Sequence, residues 1–387
     1  MRELAPTPDQ RFVDDGRLDR VRDHLAETDL DGLLAFAPAN SYYLTGCYAG
    51  MYSRPVVGLV TGEDSLFVGP ALEAEKADRT AWVDRAVCYE DADDPYEVAG
   101  AAIAAAGADR LGVDRADARP GWVEGVDAHT DATLADATEA FLDLRAVKTD
   151  WELDMIRRAS DLAGAGAQAI IDGVRAGRPE LAVVAEVQRA YYDTYLAEHG
   201  EYDIGTANEL GQYGFASVLS GDHALEPHSI SSAREIAAGE SVVGIALPSI
   251  QGYVCEEERT LLVGDVPDEV ERGMETLVSV RNEAMDRVGP GEATDEIDAW
   301  VAGQLDDAGF ADNVMHRTGH GEGVTIHEGP ALNAREPGEL RPGMVISIEP
   351  GLYFREHDAA LRHSDTLIVT ESGAERLTHT DDGVLRG

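Results

Sequence analysis

Four short motifs in the second half of the chain contain the residue types that acid–base and metal chemistry use. In order they are Pro227-His228, Glu256-Glu257-Glu258, His320 followed by His327-Glu328, and Glu349-Pro350-Gly351. Imidazole and carboxylate groups transfer protons near neutral pH and bind divalent cations. Each motif alone also has an ordinary explanation as a turn, a solvated strand edge or a strand end. Their combination in one chain indicates a functional site.

The motifs resemble those of the creatinase and Xaa-Pro peptidase family, whose catalytic domain has the pita-bread fold. The matching segments begin at Arg145 and include residues 221–228, 252–260, 316–328, 340–353 and 366–373. The resemblance implies a creatinase-like α/β N-terminal domain over residues 1–147. It also implies an α+β pita-bread catalytic domain with an internal pseudo-twofold repeat over residues 148–387.

The residue pattern alone predicts the same two-part organisation. Short apolar runs alternate with helix-like segments through the N-terminal part, which is typical of an α/β domain. From Lys148 onwards, paired amphipathic helices are followed by strands, and this order occurs twice. The predicted helices are 150–174, 180–198, 268–288 and 293–308, and the predicted strands include 241–247, 252–262, 344–348, 366–369 and 376–378. This order predicts an α+β domain with an internal repeat.

The resemblance also implies a metal site that has lost some of its ligands. Metallopeptidases of this family hold two divalent ions with two aspartates, one histidine and two glutamates. At those positions the chain retains His320 and Glu349, has Glu256 in place of an aspartate, and has Ile245 and Ser364 where carboxylates are missing. Two dications about 3.5–4 Å apart need bridging carboxylates to offset their repulsion. We therefore do not expect an ordinary dinuclear aminopeptidase.

The metal-free branch of the family, creatinase and its ectoine-hydrolase relatives, supplies the main functional expectation. By this resemblance the chain hydrolyses a C–N bond in a small cationic substrate of the guanidine or amidine type, without a cofactor. His228 is then the general acid/base, and Glu256 and Glu349 bind the planar cation through charge-assisted hydrogen bonds. His320 and His327 orient the substrate in the same cavity, where Glu256 and Glu349 are expected to be buried.

Two alternatives stay open. His320, Glu349 and Glu256 are enough to hold one Mn or Zn ion with an open position for water, which predicts an Xaa-Pro dipeptidase or aminopeptidase. The third possibility is a non-catalytic relative that binds a small molecule. Buried polar groups without a chemical role cost free energy, and this argues against a pure scaffold.

The resemblance further implies a homodimer. In the family's dimers a residue of the neighbour's N-terminal domain can reach the substrate site. Arg54, in the segment Tyr52-Ser53-Arg54-Pro55, is the candidate for that substrate-binding role.

Charge excludes several classes of partner. The 387 residues include 74 Asp and Glu against 31 Lys and Arg, which gives a formal net charge of −43, and Lys76 and Lys148 are the lysines. Nucleic acid and anionic membrane are bound through Lys and Arg, so neither is an expected partner. The acids are spread along the chain, which favours adaptation to a cytoplasm of multimolar salt.

The cysteines and the N-terminal sequence indicate the compartment. Cys47, Cys88 and Cys255 are odd in number and far apart, which suits a reducing environment and argues against a disulfide framework. Residues 1–12 lack the apolar core of a signal peptide. We therefore expect a cytoplasmic protein.

Overall fold

The computed structural model describes residues 1–48, 53–204 and 214–387, which form two compact units. The described part of the N-terminal unit is Met1–Arg145, and the C-terminal unit begins at Ala146. Within the described ranges, no helix is both long enough and apolar enough to cross a bilayer.

The N-terminal unit is a mixed sheet with helices packed on it, as the α/β prediction requires. Its strands are β1 (Arg2–Leu4), β2 (Gly32–Ala35), β3 (Val57–Thr61), β4 (Ser65–Pro70), β5 (Arg85–Tyr89), β6 (Arg110–Val113) and β7 (Thr133–Asp136). Its helices are α1 (Arg17–Ala26), α2 (Pro38–Thr45), α3 (Ala74–Thr80), α4 (Pro95–Ala106), α5 (Pro120–Asp127) and α6 (Thr138–Ala146). The strand order is β1-β5-β4-β3-β2-β6-β7.

Both faces of this sheet are covered, which explains why its strands are continuous apolar runs. Successive side chains of a strand point to opposite faces, so Leu33 and Leu34 belong to different cores. Leu34 packs in a cluster with Ile103 of α4, whereas Leu33 packs in a cluster with Val21 of α1 and Phe141 of α6. The alternation of strands and helices read from the sequence is therefore confirmed.

The C-terminal unit has four α-helices within its described residues, α7 (Asp150–Gly173), α8 (Glu180–Thr194), α9 (Asp268–Met285) and α10 (Thr294–Asp307). A π-helical turn, Tyr195–His199, follows α8. The strands are β8 (Gly214–Ser220), β9 (Ser241–Ile250), β10 (Tyr253–Val254), β11 (Glu257–Leu262), β12 (Gly319–Gly321), β13 (Glu328–Leu332), β14 (Val345–Ile348), β15 (Gly351–Phe354), β16 (Ala359–Arg362), β17 (Ser364–Thr370), β18 (Gly373–Arg376) and β19 (Leu385–Arg386).

Most of these strands form one large sheet with the order β10-β9-β11-β17-β14-β12-β13, and β8 pairs with β9 at its edge. The α+β prediction is confirmed. The predicted strand at 376–378 was wrong in position, because the turn at Glu371-Ser372 sets β18 against β17 from Gly373 to Arg376.

Helix α7 supports the strand that carries Ile245. Thr149 and Glu152 form a capping box at its start, which satisfies backbone donors that a helix end leaves unpaired. The helix then packs closely on β9. A Cβ atom at Gly244 would lie 2.4 Å from Cγ2 of Ile170, so only glycine permits this approach without a shift of Ile170.

A buried ion-pair network ties β11, β17, β18 and α9 together behind the sheet. Asp365 Oδ1 accepts hydrogen bonds from Arg259 Nη2 at 3.0 Å and from Arg376 Nη2 at 2.7 Å. Asp365 Oδ2 lies 2.8 Å from Nη1 of Arg281. The side chains of Asp365, Arg259 and Arg281 are fully buried. Asp365 is thus shared by several guanidinium groups, and Glu257 and Asp382 complete the balance of charge through ion pairs with Arg259, Arg281 and Arg376.

Replacing Asp365 by Asn is expected to lower the free energy of unfolding by about 3 kcal/mol, because it removes the carboxylate shared by the buried Arg259 and Arg281 and leaves them with Glu257 and Asp382 alone. Denaturant unfolding followed by circular dichroism in molar KCl measures the loss. The matched control is Glu375→Gln, which removes an exposed ion pair with Arg157 and should cost about 1 kcal/mol or less. Equal losses in the two variants would contradict the prediction.

Candidate functional site

One row of paired residues crosses the sheet at the two positions where the family resemblance implies missing carboxylates. Ile245 on β9 pairs with Glu258 on β11, and Glu258 pairs with Ser364 on β17. Cross-strand partners point to the same face, so Glu258 lies between the two. Its carboxylate accepts hydrogen bonds from Arg362 Nε at 2.5 Å and Nη2 at 2.6 Å. The carboxylate in this row is therefore already bound to an internal cation.

Next to this row, three ligand-type side chains converge. Oxygen or nitrogen atoms of Glu256, His320 and Glu349 all lie within 4.8 Å of one another. His320 Nε2 is 3.3 Å from Glu349 Oε1. Glu256 is 4% exposed, His320 1% and Glu349 9%. The expectation that both glutamates are buried is confirmed.

Neighbouring groups fix the orientation of His320 and Glu256. His320 Nδ1 lies 3.1 Å from the carbonyl oxygen of Gly321, which can only accept, so Nδ1 is the donor and Nε2 faces the carboxylates. His320 Nε2 itself is buried and makes no hydrogen bond to the residues that the structure describes. Glu256 Oε1 accepts hydrogen bonds from Ser364 Oγ at 2.6 Å and from Ser347 Oγ at 3.3 Å. This arrangement matches that of metal-ligating side chains, whose outer contacts hold them in place.

Burial and mutual charge perturb the three groups strongly. Burial opposes the charge of His320, but Glu349 and Glu256 outweigh it and raise the pKa of His320 to about 10. Burial alone would raise the pKa of Glu349, yet the adjacent His320 holds it at about 2. Burial and the charge of Glu349 raise the pKa of Glu256. The cluster thus has a deficit of positive charge, which a bound cation would remove.

Two further buried carboxylates, Glu258 and Glu322, were given no role from the sequence. Glu322 is fully buried, and its Oε2 lies 3.0 Å from Thr366 Oγ1. Its Oε1 has no hydrogen-bond partner within the described ranges. Each glutamate stands two positions after a predicted ligand, Glu256 or His320. Because side chains repeat every second residue along an extended chain, this spacing could have indicated both.

His320, His327 and His228 form a histidine row that runs from the buried cluster towards solvent. The ring centroids of His320 and His327 are 4.4 Å apart, and those of His327 and His228 are 6.1 Å apart. Both outer histidines are exposed, whereas His320 is buried. The reason is local, since His327 and His228 lie in irregular segments outside the strands.

Arg54 belongs to the N-terminal unit, where it forms an ion pair with Asp91 and is partly exposed. Its role at the site of a neighbouring subunit stays a prediction.

Comparison with known proteins assigns the chain to a family. Residues 154–371, more than half of the chain, match the model of metallopeptidase family M24, and residues 17–147 match the creatinase/prolidase N-terminal domain. An Xaa-Pro dipeptidase of Pyrococcus furiosus is 28% identical over 95% of this chain and 99% of its own. A probable dipeptidase PepE of Mycobacterium bovis is 32% identical over 90% of both chains. The solved structure of the prolidase from Pyrococcus furiosus superposes with a TM-score of 0.78 at 26% identity, covering 93% of this chain and 99% of that one. The chain therefore belongs to metallopeptidase family M24, and in it a creatinase-type N-terminal domain precedes the pita-bread catalytic domain.

Proposed function

We propose that this chain is a metal-dependent dipeptidase that hydrolyses short Xaa-Pro-type peptides with one Mn or Zn ion. The observation that carries the proposal is the convergence of Glu256, His320 and Glu349 atoms within 4.8 Å. One imidazole and two carboxylates with an open position are a sufficient ligand set for a catalytic divalent ion. The relatives described as Xaa-Pro dipeptidase and prolidase support the substrate class.

The residues present fit one ion and do not fit two. His320 Nε2 is buried 3.3 Å from Glu349 Oε1, and a cation bound there would displace the proton that this nitrogen holds. At the remaining family positions, Ile245 cannot coordinate, and Ser364 donates its hydroxyl to Glu256. Glu258, between them, is held by Arg362. A second dication would meet an apolar side chain and a guanidinium group.

The bound ion would supply a Lewis acid for the scissile carbonyl group. The chain's own residues do the rest of the work. Ser364 and Ser347 hold Glu256, and the carbonyl of Gly321 fixes the ring of His320. His228, exposed at the outer end of the histidine row, gives a proton to the nitrogen of the departing proline.

The comparisons favour this function over the metal-free hydrolysis expected from the sequence. That expectation required Glu256 and Glu349 to bind a planar cationic substrate. In the structure Glu349 lies beside His320, and Glu256 accepts hydrogen bonds from two serines. The relatives named above are described as peptidases, not as guanidine or amidine hydrolases. Metal-free hydrolysis is the alternative that the metal analysis and EDTA treatment below would reveal.

Protein purified without chelator in molar KCl is expected to contain about one ion per chain by plasma mass spectrometry. EDTA should abolish hydrolysis of Ala-Pro, and Mn or Zn should restore it. His320→Ala should lower kcat/KM on the order of 1,000-fold, because Lewis-acid catalysis is worth several kcal/mol.

The matched control is His357→Ala, which removes a surface histidine paired with Glu269 and should leave activity unchanged. Full activity after EDTA, or turnover of guanidines and amidines but not of Ala-Pro, would refute the proposal and support the metal-free hydrolase.

Ser364→Ala is expected to weaken metal binding about 10–100-fold, since outer contacts of this kind orient the ligand carboxylate. Competition with a fluorescent chelator measures the affinity. Ser279→Ala, which removes a hydroxyl that donates to Glu283 on the surface of α9, is the control. Unchanged affinity in Ser364→Ala would mean that Glu256 is not a ligand.

We further propose that the protein works as a homodimer in a high-salt cytoplasm. With a net charge of −43, repulsion between carboxylates opposes folding at low ionic strength. The unfolding temperature is therefore expected to rise steeply from dilute buffer to 2 M KCl, as the Debye length falls to about 3 Å or less. Sucrose of equal osmolality is the control, because it does not screen charge. A flat dependence on KCl would contradict salt adaptation.

A further inference from the structure

A serine, a histidine and a glutamate form a second series of hydrogen-bonded groups, separate from the metal ligands. His223 Nε2 lies 2.7 Å from Ser229 Oγ. His223 Nδ1 lies 3.0 Å from Glu180 Oε2 and 3.2 Å from Oε1. These are the contacts by which a base activates a hydroxyl and a carboxylate orients the base.

Glu180 is held firmly in the ionised form. It is fully buried at the start of α8. Burial raises its pKa, but hydrogen bonds from the backbone N–H groups and hydroxyls of Ser232 and Ser220 outweigh this and lower it. The four bonds are 2.8–2.9 Å long. The carboxylate therefore acts as an acceptor with a fixed position.

This fixes the tautomer of His223. An ionised carboxylate can only accept, so Nδ1 of His223 must carry the proton that it donates to Glu180. In the neutral ring Nε2 then has a free lone pair. The Ser229 hydroxyl consequently donates to Nε2, which is the direction needed for removal of its proton.

The two reacting groups are open to solvent. Ser229 is partly exposed, and the side chain of His223 is 19% exposed. Ile230, the next residue, is 77% exposed. The backbone N–H groups of His228 and Ile230, on either side of Ser229, make no hydrogen bond to any residue that the structure describes. They are available to an oxygen atom of a bound ligand.

We propose that Ser229 is the nucleophile of a second catalytic site, with His223 as its base and Glu180 as the positioning residue. The substrate class is small activated acyl esters. The Ser229 Oγ–C bond forms as the hydroxyl proton passes to His223 Nε2, the ester C–O bond breaks, and the alcohol leaves with that proton. Water, deprotonated by the same nitrogen, then cleaves the acyl-serine to carboxylate and free Ser229.

The test is covalent labelling of the full-length, metal-loaded protein with phenylmethanesulfonyl fluoride in molar KCl. The Ser229 Oγ–S bond forms, the S–F bond breaks, and fluoride and a proton are released. Intact-mass and peptide mass spectrometry are expected to find one label per chain, on Ser229. Turnover of p-nitrophenyl acetate is measured in parallel.

Ser229→Ala should abolish labelling and the ester turnover above background. His223→Gln should slow labelling about 100-fold or more, in line with loss of a general base. Ser160→Ala should change neither, because Ser160 Oγ donates to the carbonyl of Arg157 and has no imidazole beside it. Glu349→Gln, made in the metal cluster, should leave labelling intact while dipeptide hydrolysis is lost, so the two sites fail separately.

If this series has a purely structural role, Ser229→Ala and His223→Gln lower the melting temperature, and the parent shows no selective labelling of Ser229. Labelling of Ser229 no faster than that of Ser160 would therefore overturn the proposal. So would a His223→Gln variant, folded by circular dichroism, that labels at the parent rate.

Discussion

Buried carboxylates that outnumber the fixed cations beside them are the constraint on which the C-terminal unit depends. Glu256, Glu322 and Glu349 lie close together in the interior, and His320 is the charged partner within the cluster. An ionised carboxylate in such a place is costly without a counter-charge. These buried carboxylates can be stabilised by protonation or by a bound cation. The convergent geometry of three ligand atoms favours the cation, because protonation alone would need no such convergence.

The proposed change from a two-ion to a one-ion site can be traced across one row of the sheet. Ile245 and Ser364 remove two carboxylates, and Glu258, paired with both, adds one back together with its partner Arg362. The row therefore keeps its charge balance without an external ion. Ser364 also gains a new use, since its hydroxyl now holds Glu256. Glu256, His320 and Glu349 remain as the ligands of the proposed single-ion site.

The sequence predicted the parts of this site that depend on short motifs and could not predict those that depend on strand register. His320 and Glu349 were predicted because they lie in short motifs that resemble those of the family. The pair of Glu258 with Arg362 joins residues 104 positions apart, and only the pairing of β11 with its neighbours brings them together. The exposure of His228 could not be predicted either, because an irregular segment has no periodicity that indicates burial. The fold class of each domain and the order of its helices and strands were predicted correctly from apolar periodicity.

Molar salt screens the exposed ion pairs of this chain but not the buried ones. A buried pair lies behind the strand that carries Ser364. An exposed pair such as Arg157 with Glu375 is screened at molar ionic strength, whereas the buried pair of Asp365 with Arg259 is not. Asp365 and Ser364 are neighbours on β17, so their side chains point to opposite faces of the sheet. The strand that presents Ser364 to Glu256 is thus anchored from behind by a contact that salt does not weaken. The surface can respond to ionic strength while the geometry around Glu256 stays fixed.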